Sequence, residues 1–230
     1  MSTPLASSRP IAALNRLRHA LIGLAWVSCA SLLLSGCMSA AHIAQNLDNQ
    51  ARISETTQGI TLLRAHISKL QAAGDPLGDY YYALGNSDGW IADVSDPQAI
   101  TALFEKAAAK GSMDAKILLA LQLASDDALP GRLDYSHGPS KDLGKWEQGL
   151  GQLLPLVQQQ CSVRRLVVDD GRARTSYYSI AYDVWPHFRN GYFQYNGDGS
   201  RVLLKDPARQ KLWEDIHRKC TIPQFEWIKP

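Results

Sequence analysis

Asn196, Asp198 and Ser200 place side-chain oxygens at alternate positions, a spacing that invites a divalent cation. A twelve-residue calcium loop needs glycine at its sixth place and a bidentate acid at its twelfth. Those places hold Arg201 and Pro207, so the stretch reads as a tight turn. His42, His66, His137, His187 and His217 stand singly, with no HExxH and no pair at ligand spacing, so neither a metal nor a cofactor is expected. No glycine-rich loop of the kind that cradles a phosphate is present. Asp134, His137 and Glu147 could in principle work as acid and base near a central loop. Solvent-facing polar residues are the simpler reading, and no enzyme is expected.

The 230 residues carry a formal net charge of +2, with 45% hydrophobic and 20% charged residues. This suits one or two globular domains. Residues 1 to 37 hold Arg9, Arg16 and Arg18 and no acid, so the rest is nearly neutral. Phosphate neutralisation needs a concentrated cationic excess, which argues against a nucleic-acid partner. After Arg18 and His19 comes an apolar run from Ala20 to Leu34. As a helix it spans roughly 22 Å, short of a ~30 Å hydrocarbon core, so it reads as a secretory leader rather than a permanent membrane span.

The run stops at Leu34-Ser35-Gly36-Cys37, which resembles the lipobox of bacterial lipoproteins. That resemblance implies removal of residues 1–36, lipid and palmitate on Cys37, and a tether over 37–57. Several acyl chains hold a protein stably where one does not. Met38 follows the cysteine in place of the Asp that the family's sorting rule links to inner-membrane retention, which implies an outer-membrane anchor facing the periplasm. With Cys29 lost in the leader and Cys37 lipidated, Cys161 and Cys220 remain in an oxidising compartment, where a disulfide is expected. Closing about 60 residues would contribute roughly 4 kcal/mol on the chain-entropy model.

The segments 73–84 and 110–121 align without gaps, offset by 37 residues with Gly74 over Gly111. A period of that length with glycine between two helical patterns indicates an α-solenoid. Asp96-Pro97 caps a helix carrying Ala99, Leu103, Phe104 and Ala107, and a second begins near Met113 with Ala115, Leu118, Leu119 and Ala120 inward. The preceding unit carries Ile60, Leu63, Ile67 and Leu70, then Tyr81, Tyr82 and Leu84. Lys106-Ala107-Ala108, Gly111 and Ala115, with Leu84-Gly85 and Asp96-Pro97-Gln98-Ala99, resemble a Sel1-like repeat, a relative of the tetratricopeptide repeat. Ala120 stands where the family has glycine, and Gln71-Ala72-Ala73 replaces Lys-Ala-Ala. The resemblance covers residues 58 to 125, and Lys141 to Gln160 is expected to cap the stack as a helix kinked at Pro155.

Beyond Cys161, Val163–Val168 and Thr175–Ile180 about Asp169-Asp170-Gly171 suggest a hairpin, with helix as the alternative for the first segment. Tyr192–Tyr195 and Arg201–Leu204 suggest a second, and Asp206-Pro207 starts a helix to about Lys219. The fold class expected is mainly α: a short α-solenoid of Sel1/TPR-like hairpins over 58–160, capped by an α+β or α region over 161–230 stapled by the disulfide. Solenoids bind partners on a concave face, and aromatics dominate binding hot spots. Tyr80, Tyr81, Tyr82 and Trp90 are therefore the candidate partner-binding residues. The function expected is a membrane-anchored adaptor for another envelope protein or complex. An envelope enzyme such as a peptidoglycan hydrolase and a small inhibitor or immunity-type lipoprotein are the alternatives.

Overall fold

The structure, a computed structural model, describes residues 45, 49–125, 129–130, 139–195, 198 and 200–229. The expected leader, Cys37, most of the expected tether, Asp134, His137 and Asn196 lie outside the described residues. The chain divides between Ile53 and Ser54, and the elements below belong to the unit from Ser54 on. They are α1 (54–72, within a helical run that starts at 49), α2 (Pro76–Ser87), α3 (Pro97–Ala109), α4 (Met113–Ala124), α5 (Leu143–Gln159), β1 (Ser162–Asp169) and β2 (Arg172–Ser179). Then follow α6 (Ala181–Asn190), β3 (Tyr192–Tyr195), β4 (Arg201–Leu204), α7 (Pro207–Lys219) and β5 (Glu226–Trp227). The molecule is mainly helical, with one three-stranded sheet, one two-stranded sheet and a Cys161–Cys220 disulfide.

The first four helices are set by the same punctuation used twice. Gly74 takes φ +71°, and the amides of Gly74 and Asp75 turn back onto the carbonyls of Gln71 and Leu70 at 3.0 Å. Gly111, 37 residues on, takes φ +104°, and the amides of Gly111 and Ser112 bond the carbonyls of Ala108 and Ala107 at 3.0 Å. This paired bonding closes a helix and needs a residue free of the left-handed penalty. Asp75 and Ser112 then cap the next helix, accepting from the amides of Leu77 (2.9 Å) and Ala115 (3.3 Å). Burial follows the same offset: Leu63 and Ile100, Ile67 and Phe104, Tyr80 and Ile117, Tyr81 and Leu118, Ala83 and Ala120 are all buried. Asp79 of α2 ties the hairpins together by pairing with Lys106 of α3 and with Lys110, which caps its C-terminus.

Asp142 caps α5 through the amides of Gly144 and Lys145, and Trp146, Leu150, Leu153 and Val157 face the core. The helix runs on through Pro155 to Gln159. It packs hard on α4 at Gly149, where an added Cβ would lie 2.4 Å from the backbone nitrogen of Ala124. Asp170 and Gly171 both have positive φ (46° and 71°), so β1 and β2 form a two-residue hairpin of the primed type that matches strand twist. The segment left open between strand and helix is thus a strand. β5 adds to the far side of β2, giving the order β1-β2-β5.

One face of this sheet lies on the helices. Tyr80 Oη donates to the carbonyl of Arg164, Tyr81 Oη and Thr175 Oγ1 lie 2.8 Å apart, and Gly59 of α1 lets Val168 and Arg172 approach its backbone. The stretches 58–160 and 161–230 therefore meet in one hydrophobic core. α6 and α7 close the other end, burying Val184, Phe188 and Trp213, with Trp146 against Phe188 at 5.7 Å.

Candidate functional site

The four aromatics proposed for partner binding do not share a surface. Consecutive helical residues point about 100° apart, and α2 is covered on two of its sides. Tyr80 is 0% exposed, edge-on to Phe104, and Tyr81 is 2% exposed beneath β2, so neither offers contact area and both leave the candidate site. Burial pushes both phenols well up from their ordinary ionisation. Tyr82 and Trp90 are half-buried and remain.

Tyr82 sits in a polar network built on the loop after α2. Arg64 grips Asp93 with two bonds of 2.9 Å, and Tyr82 Oη donates to the same carboxylate at 3.3 Å. The hydrogen bond from Arg64 holds the Asp93 carboxyl below its usual value. Asn86 Oδ1 accepts from the amides of Asp93 (3.1 Å) and Val94 (2.9 Å), fixing the loop to the helix. Gly85 admits Ile91, whose side chain lies 2.7 Å from where a Cβ would be. Between α3 and α4 a cleft of about 320 Å³ is lined by Pro97, Gln98, Thr101, Glu105 and Gln122.

A second group surrounds α6. Asp183 Oδ1 accepts from Tyr178 Oη at 2.7 Å while its buried Oδ2 has no hydrogen-bond partner, and desolvation pushes the carboxyl up to about 6. Burial likewise lowers His187, which meets Trp146 edge-on. His217 Nδ1 and Ser179 Oγ are 3.0 Å apart, a base beside a hydroxyl. Ser179 is 2% exposed, so this pair holds α7 to β2 rather than presenting a nucleophile. Glu147 pairs with Arg209 at 2.6 Å. Asp198 Oδ1 accepts from the Ser200 amide at 2.9 Å, the bond of a turn. Among the described residues no three His, Cys, Asp or Glu side chains converge to hold a metal, and no helix is long and apolar enough to cross a membrane.

One surface was not singled out from the sequence. On the outward face of β2 and β5 the guanidinium of Arg172 lies 4.2 Å from the ring centre of Trp227 and that of Arg174 lies 5.0 Å from that of Phe225. The alternation Arg-x-Arg and Phe-x-Trp is visible in the chain, but only the pairing of β5 with β2 brings the two together. Cys161 and Cys220, by contrast, are paired as expected, with Cα atoms 5.6 Å apart. Comparison with protein-family models, with curated proteins and with solved structures finds no match to this chain.

Proposed function

We propose that this chain is an outer-membrane lipoprotein, anchored through Cys37 and facing the periplasm, that acts as a non-enzymatic adaptor for another envelope protein or complex. The observation that carries the adaptor reading is the equivalence of the α1–α2 and α3–α4 hairpins in capping, glycine conformation and burial at an offset of 37 residues. Stacked helix pairs of this kind, here with a Sel1-like sequence pattern, expose a long surface whose use is to hold other proteins. The anchor rests on Leu34-Ser35-Gly36-Cys37. The Cys161–Cys220 bridge supports export, because such bonds persist in oxidising compartments.

The test is crosslinking in intact cells that express the tagged chain, beside Cys37→Ser. A defined set of envelope proteins captured by the native form and lost with Cys37→Ser supports the reading, as does palmitate incorporation that requires Cys37. Turnover of an envelope substrate by the purified chain, abolished by one substitution, would overturn it.

A further inference from the structure

Several described arginines have a carboxylate: Arg64 has Asp93, Arg164 has Asp114, Arg165 has Asp88, Arg209 has Glu147 and Asp206, and Arg218 has Asp215, whereas Arg189 and Arg201 stack singly on Trp185 and Phe193. Arg172 and Arg174 have none among the described residues. Each is stacked instead on an aromatic ring, Arg172 on Trp227 of β5 and Arg174 on Phe225 just before it. The two rings meet edge to face at 5.4 Å and are 40% and 50% exposed. Arg174 lies directly opposite Trp227 in the register, so both stacks are diagonal and the four side chains interleave along one face. Asp169 lies opposite Arg172 but forms no ion pair with it, and Glu226 points to the other face, where Tyr177 Oη donates to it.

This arrangement is prepared for anions of a particular spacing. Stacking fixes the plane of a guanidinium without using its N–H donors, which then suit bidentate carboxylate binding. It also carries both cations off β2 and over β5, the last strand in the sheet order. Arg172 and Arg174 are two residues apart on one strand, about 7 Å at 3.3–3.4 Å per residue. An extended peptide with acids at alternate positions has the same repeat. We propose that this face binds an extended acidic segment of a partner protein, with Glu or Asp at alternate positions facing Arg172 and Arg174 and apolar contact on Phe225 and Trp227. Two cations are too few for an anionic membrane, where capture takes clusters of four to eight at about 1 kcal/mol each. The proposal rests on the adaptor reading and gives its partner a chemistry.

The experiment is fluorescence anisotropy with the purified full-length chain, disulfide intact, and two nine-residue peptides of equal composition. One has glutamates at alternate positions and the other has them adjacent. Tighter binding of the alternating peptide, weakened about fivefold by Arg172→Gln or Arg174→Gln and by added salt, supports the proposal. Unchanged melting of both variants shows that they fold. Equal affinity for the two peptides, no binding at millimolar peptide, undiminished binding by both variants, or binding only to phosphatidylglycerol vesicles would overturn it. Envelope capture that succeeds while the peptides fail removes this surface and leaves the adaptor; peptide binding without envelope capture does the reverse.

Discussion

Asp114 shows how much can depend on one side chain. It is buried at the start of α4 and accepts from the backbone amide of Arg164 (2.8 Å), the Arg164 guanidinium (2.7 Å) and Gln160 Nε2 (3.2 Å). Asp114→Ala leaves the half-buried Arg164 without its counter-charge, and is expected to cost about 3 kcal/mol in urea unfolding. Asp183 has the opposite character, since desolvation raises its folded-state pKa to about 6 from an ordinary 3.8. The unfolded chain then releases this proton first, so the contribution to stability is full below about pH 4 and is lost as pH rises to about 6. Subtracting Asp183→Asn from the parent across that range should reveal a slope totalling on the order of 2–3 kcal/mol. None of these partners was legible in the chain: Asp114 and Arg164 are 50 residues apart, and nothing local to Tyr80, Tyr81 and Tyr82 says which of the three the sheet covers.

Elements were readable wherever their ends carry their own chemistry. Asp96-Pro97 and Asp206-Pro207 supply a capping carboxylate and a fixed first φ, and α3 and α7 begin where those pairs stand. Asp170-Gly171 likewise marks the first hairpin. α6 went unread because its first turn has no side-chain cap and Pro186 interrupts its pattern. β5 went unread because two residues have no periodicity of their own. Glycines inside α5 offer a matched test of packing. Gly151 has nothing within 4 Å of an added Cβ, so Gly151→Ala should gain about 1 kcal/mol from helix propensity. Gly149→Ala would press on Ala124 and should instead lose about 1–3 kcal/mol, read as a lower melting temperature.

At the scale of the molecule, the disulfide joins residues 59 apart, from the entry of β1 to the end of α7. Replacing both cysteines by alanine should remove about 2–5 kcal/mol. Because α1 and α2 share a core with β1 and β2, circular dichroism of the helices and fluorescence of Trp146 and Trp213 should fall together in the melt. Length, composition and the repeat offset made the mainly helical character legible. The contact between the first helices and a sheet from the other half was not, since it is made by residues far apart in the chain. Tyr81 waits for Thr175, 94 residues later. If the chain is exported N-terminus first, as proposed, the first helix pair arrives with its sheet-facing side bare, and stays so until β2 has crossed. The interval is a window for capture by a holding chaperone, and a stop placed before β2 would leave a helical stub prone to clump rather than a smaller working module.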